Sequence, residues 1–222
     1  MEEQHNPSQY KTRCFNKAQC FARDYLSRAC FIELTGQGTS IKRGVLVTKA
    51  NSYYYKQLFR GVFTLINFLK YNWQVRDEWF EWCNQLSNEE LIKERTGGVG
   101  SILYTLFHII DVEYSWLRGI QGKEDIVVDF ADHYTPEKVK SLSDRFRNEI
   151  AEFLKINLDE LKEKAVCVPW DEEKYTVEEI LHHIIAHEIH HIGQLSVWSR
   201  ELELNPVPAN FIGRKFKSIH SY

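Results

Sequence analysis

Long apolar runs are missing from this sequence. None approaches the ~18 residues that a membrane-spanning helix needs, which excludes a helical membrane protein. The first residues also lack the positive-then-apolar order of a secretory signal peptide. Cysteine is sparse: the five in 222 residues sit at spacings that fit neither a disulfide framework nor a zinc motif. A reducing cytoplasm is therefore the expected location. An excess of one charge is absent too, since 28 Lys and Arg face 31 Asp and Glu for a net charge of −3. That balance leaves no electrostatic footprint for nucleic acid. Strand patterning is scarce, so no sheet edge is expected to hold an extended peptide.

What the sequence does contain is ordinary in amount and unusual in arrangement. The hydrophobic share of 43% and charged share of 27% are those of a soluble globular protein. Six Trp, eleven Tyr and thirteen Phe favour thick helix packing. The length suits one large domain, or one domain with an appendage.

The arrangement that matters lies in residues 181–202, where five of the nine histidines fall within ten residues. His183, His187 and His191 are spaced by four, so on a helix they form one stripe. His182 and His190 lie off it. Ile184, Ile185, Ile189, Ile192 and Leu195 surround the stripe with apolar surface, as in a buried or half-buried helix. A lone histidine on such a face is ordinarily a hydrogen-bonded core residue, but a periodic set is hard to explain by packing. Neutral imidazole is the commonest metal ligand, and two at this spacing chelate one ion. The stretch is half of a metal site. His187-Glu188-Ile189-His190-His191 also fits the H-E-x-x-H metalloprotease pattern, with Glu188 as general base. The all-helical surroundings weigh against that reading without closing it.

Along the chain, residues 1–46 lack sustained helical periodicity, and Cys14, Cys20 and Cys30 within them match no ligand spacing. The codons open to Lys42-Arg43-Gly44-Val45 include a purine-rich ribosome-binding sequence, and Val47 can be read from a GTG start just beyond it. The expectation is that the protein proper begins near Val47 and that residues 1–46 are translated upstream sequence. N-terminal sequencing of the native protein tests this, and a native terminus at Met1 refutes it. Residues 47–222 are expected to form the folded domain.

Helical periodicity starts near Ser52 and runs to about Leu86 through Leu65, Leu69, Trp73, Trp79, Phe80 and Cys83. Ser87-Asn88-Glu89-Glu90 has the form of a cap and first turn. After the glycine-rich break at residues 96–100, Ser101 opens a second long helix that ends near Gly119 or Gly122. This helix carries His108, the natural third ligand beside the His-rich stretch. Thr135-Pro136-Glu137 opens a third helix, with proline in its first turn, running to about Lys155. Residues 166–175 are a linker. Thr176-Val177-Glu178-Glu179 then caps the His-rich helix, which ends before Asn205-Pro206. Four amphipathic helices make an all-α four-helix bundle with an irregular N-terminal extension, and such bundles hold metal sites in the core between facing helices.

These residues resemble the DinB/YfiT-like superfamily of metal-binding four-helix bundles over about residues 51–216. The likeness runs through Tyr71-Asn72-Trp73, residues 86–91, Gly100-Ser101-Ile102, His108-Ile109, Val112-Glu113 and Trp116-Leu117. It is strongest in His187-Glu188, His190-His191 and Gly193-Gln194, with Ile192 where the family commonly has Arg. The resemblance implies a divalent metal (zinc, nickel or iron) held by His108, His187 and His191, with positions open to water or substrate. It also implies a homodimer acting on a small molecule, with thiol S-transferases using bacillithiol among the characterised relatives. The expected activity is transfer of a low-molecular-weight thiol to an electrophile. The alternatives are a hydrolase using metal-bound hydroxide with Glu188 as base, and a non-catalytic stress-response metal-binding bundle. Glu113 and Glu188 are candidates for orienting the ligands, His183 and His190 for orienting ligands or contacting substrate, and Trp170 and Tyr175 for lining the mouth of the site.

Overall fold

Side-chain oxygens decide where most of these helices begin. A computed structural model describes residues 46–155 and 158–216, with side chains described from residue 65 onward except that of Asp159. The expected leader, with its three cysteines, falls outside the described residues except for Leu46. By its contacts the chain divides into Met1–Ser52 and Tyr53–Tyr222, and the second carries the helical bundle.

Helix α1 spans Leu46–Cys83, α2 Asn88–Ile92, α3 Ile102–Ile120, α4 Pro136–Phe153 and α5 Val177–Glu201. The hydroxyl of Ser87 accepts from the Glu90 N–H at the start of α2, and that of Ser101 from Tyr104 N–H at the start of α3. Thr135 does the same for Lys138, with Pro136 following in the first turn. At α5 the full reciprocal cap forms: Thr176 accepts from the Glu179 N–H, and the Glu179 carboxylate accepts from the Thr176 N–H. Each cap satisfies a backbone donor that has no partner within its helix, contributing on the order of 1 kcal/mol.

The end of α3 separates two glycines that the sequence leaves as alternatives. Gly122, at φ +67°, lies just past the helix, and the N–H groups of Gly122 and Lys123 donate to the carbonyls of Gly119 and Arg118. That is the Schellman ending, in which a left-handed residue closes the last turn. Gly119 is inside the helix for another reason, since a Cβ there would lie 2.7 Å from the Val168 side chain.

Val168 belongs to an element that the sequence reading takes as a linker. Residues 165–176 form an antiparallel hairpin, β1 (Ala165–Val168) with β2 (Asp171–Thr176), with a register irregularity between Cys167 and Val168. Only β1 alternates, burying Val166 and Val168 and exposing Cys167. The partner strand is polar and largely exposed, so period two never extends far enough to be seen.

The bundle core is built on Trp73, Trp79, Leu103, Leu106, Leu117 and Ile150, all fully buried. Contacts fix how the ligand-bearing helices run. Gly98, just before α3, faces Gln194 and Trp198; His108 meets His187 and His191; and Trp116 meets His183. Helices α3 and α5 are therefore antiparallel, and their midpoints face each other across the core.

Candidate metal centre

Two helices place three imidazoles together. His108 comes from the first half of α3, while His187 and His191 lie one turn apart on α5. The ligand atoms of the three lie within 4.8 Å of one another. The Nε2 atom of His187 is 3.1 Å from His108 Nε2 and 3.1 Å from His191 Nε2. His108 and His191 are buried, and His187 is half-buried.

Three nitrogens turned on one point make an unstable arrangement unless something positive joins them. His191 Nδ1 is 2.7 Å from Gln194 Oε1, an acceptor, so the proton of His191 sits on Nδ1 and Nε2 carries a lone pair. His187 has one ring proton when neutral and can satisfy only one of its two Nε2 neighbours. A cation satisfies all three. Nitrogens bound to one ion at ~2.0–2.1 Å lie no more than about 4.2 Å apart, and both 3.1 Å separations meet that limit. The donor set suits zinc, nickel or iron, each of which accepts imidazole.

Electrostatics favour the neutral, ligating form. Burial lowers the His187 pKa well below its ordinary 6.5, helped by the neighbouring imidazoles His108, His191, His183 and His190. Burial, partly offset by the Gln194 hydrogen bond, brings His191 to about 4. In the metal-free protein the unfolded chain takes up protons near 6.5 while the folded His191 waits until about 4. Stability is thus fully present above about pH 6.5 and falls as pH drops toward 4. Urea midpoints of the metal-free protein should decline across that window, and the decline should be shallower for His191→Phe.

Beside the triad, His183 meets His187 ring to ring at 5.8 Å and Trp116 at 5.5 Å. Trp170 and Tyr175 pack edge-on against the same Trp116 ring, which brings the expected mouth aromatics to one side of His183. His190 is exposed, and its Nε2 is 3.0 Å from Gln194 Nε2. Ile192 is buried.

Glu188 and Glu113 occupy a different cluster. Arg76 of α1 donates from Nε to Glu188 Oε1 at 2.8 Å and from Nη2 to Glu188 Oε2 at 2.5 Å. Its Nη1 donates to Glu113 Oε2 at 2.9 Å, and Trp73 Nε1 donates to Glu113 Oε1 at 2.8 Å. Arg76 is 0% exposed, Glu188 2% and Glu113 4%. Burial pushes the Glu188 carboxyl up, and Arg76 opposes it. Sequence reasoning passed over Arg76, and named Gln194 only within the family likeness, without a role. The available signal was position: Arg76 continues the buried stripe of Leu69, Trp73 and Phe80, Glu113 stands between Ile110 and Leu117, and Glu188 between Ile184 and Leu195. One cation and two anions at core positions of three helices are a buried ion cluster in prospect.

Comparison with known proteins agrees with the residues. The sequence model described as the DinB family matches residues 56–218. An uncharacterised protein of Bacillus subtilis (strain 168), YizA, is 66% identical over 159 residues, which is 71% of this chain and 100% of that one. A crystal structure of a DinB-like protein from Bacillus cereus ATCC 10987 aligns with a TM-score of 0.45 and 22% identity. That alignment covers 64% of this chain and 93% of the other. On the strength of the family match, which spans the bundle and all three histidines of the cluster, the chain belongs to the DinB family.

Proposed function

We propose that this protein is a divalent-metal-dependent transferase that joins a low-molecular-weight thiol, of bacillithiol type, to an electrophile. The observation that carries the proposal is the convergence of three imidazole ligand atoms, from His108, His187 and His191, within 4.8 Å of one another. A divalent ion held there by uncharged ligands would keep its full charge and acidify a thiol presented to it. His108, His187 and His191 are the ligands. Their depressed basicity at His187 and His191 keeps those nitrogens unprotonated at neutral pH. The sulfur–carbon bond forms as the leaving group departs, and the thiol proton passes to solvent.

Glu188 is the candidate base of the hydrolase alternative. Both its oxygens accept from Arg76, so withdrawing a proton from water would compete with a buried ion pair. We therefore assign Glu188 to holding α5 in place. The test is an assay of the zinc-, nickel- and iron-loaded protein with bacillithiol or cysteine and an aryl halide. Turnover that needs both thiol and metal, and disappears in His187→Ala, is expected. Turnover on esters or amides without thiol would replace the proposal with the hydrolase. Tight metal binding without turnover on any pair would replace it with the non-catalytic bundle.

A further inference from the structure

We propose that Gln194 is a positioning residue for the metal ligand His191. Its side-chain amide, pinned between His190 and Gly98, holds that imidazole in the tautomer able to bind an ion. The inference rests on the three-histidine reading of the site and concerns how one ligand is kept ready.

An amide has one accepting end and one donating end. Gln194 turns its accepting Oε1 to His191 Nδ1 at 2.7 Å and its Nε2 to His190 Nε2 at 3.0 Å. In this orientation His191 carries its proton on Nδ1 and directs the Nε2 lone pair at His187. A flipped amide would present N–H to Nδ1, favour the proton on Nε2, and remove the ligand atom. His190 guards against the flip by accepting from the amide nitrogen. It thus has a part in the site although it lies off the ligand stripe.

The amide is also held from behind. Gly98, at φ +66°, stands so close that a Cβ on it would lie 2.7 Å from Gln194 Oε1 and 2.9 Å from Trp198 Cη2. Trp198 is itself fixed, buried and donating from Nε1 to the Thr96 carbonyl at 3.1 Å. Any side chain at position 98 must displace Oε1, the atom that His191 needs. The glycine-rich loop before α3 therefore reaches the metal centre through one hydrogen bond.

Partners that orient ligating histidines typically alter metal affinity by about 10–100-fold when removed. Three variants separate this role from packing: Gln194→Leu, Gln194→Glu and Gly98→Ala. Two measurements are made on the full chain, zinc affinity by competition with a chromogenic chelator and ring 15N spectra of the metal-free protein. Wild type should show His191 protonated on Nδ1. Gln194→Leu should show mixed tautomers and bind zinc about 10–100-fold more weakly. Gln194→Glu keeps an acceptor at the same place, so it should bind at least as tightly as wild type. Gly98→Ala should weaken zinc binding in the same direction as Gln194→Leu. The proposal is overturned by a wild-type His191 protonated on Nε2, by unchanged zinc affinity in Gln194→Leu, or by a Gln194→Glu variant as weak as Gln194→Leu. A wild type with the Nδ1 tautomer that binds no zinc would overturn the metal centre and the positioning role with it, and the intact tautomer would identify that case.

Discussion

Replacing Arg76 with methionine should destabilise the fold by about 3–5 kcal/mol, the usual consequence of removing one partner from a buried ion pair. The residue is fully buried and holds two carboxylates that are themselves buried, Glu113 on α3 and Glu188 on α5. Methionine fills much of the volume but leaves both carboxylates without their cation. A domain of ordinary stability has only about 5–15 kcal/mol in hand, so the variant should show a much lower urea midpoint. Lysine should not rescue it, since one ammonium cannot present the fork that meets Glu188 through two nitrogens. Glu188→Gln added to Arg76→Met should recover part of the loss by removing one stranded charge. The pH dependence gives a second check. Burial already holds the Glu188 carboxyl above its ordinary value; without Arg76, burial and the neighbouring Glu113 raise it further, and only Arg147 opposes them. A raised carboxyl stabilises the protonated fold at low pH and loses that contribution as pH rises through the folded pKa. The deficit of Arg76→Met should therefore shrink between pH 8 and pH 5. A variant within about 0.5 kcal/mol of wild type at pH 8, the range of ordinary surface substitutions, would show that the cluster has no such role.

The second large effect is expected from metal itself. An ion that binds the folded chain alone stabilises it by about 4 kcal/mol when free metal is a thousand times its dissociation constant. Adding zinc to the metal-free protein should raise its melting temperature steeply, and chelation should reverse the gain. His108→Ala and His187→Ala should lose nearly all of that increment, because each removes one of three ligands from a different helix. Their metal-free forms need not be weak, since the substitutions relieve a crowd of nitrogens 3.1 Å apart. Equal zinc-induced shifts in wild type and both variants would mean that zinc stabilises the fold from somewhere else.

These expectations show what the sequence made legible. Helix starts could be read because a cap is a local event: Ser87, Ser101 and Thr176 each stand three residues before the N–H they receive. The triad could be read because His187 and His191 repeat at the helical period, and His108 is the lone histidine of its helix. The bundle followed from four amphipathic stretches. What stayed hidden depends on pairing across the chain. Arg76 lies 112 residues from Glu188, and nothing local to either names the other. Glu188 looked like a base because its neighbours match a motif, whereas its surroundings place it against an arginine from another helix. Gln194 stood out in the Gly193-Gln194 pair, but its role did not: a residue three positions from His191 names no partner until Gly98 is seen to close on it. The hairpin was missed because its one patterned strand has four residues.

His108, His187 and His191 are expected to hold one divalent ion, and the metal content of the purified chain decides whether they do. The full chain should be purified without a metal-affinity tag and analysed by elemental mass spectrometry beside His108→Ala and His187→Ala. About one zinc, nickel or iron per wild-type chain is expected, as a single three-ligand site requires, with a small fraction of that in each variant. Metal retained at the wild-type level in both variants, or absent from wild type even after reconstitution, would contradict it.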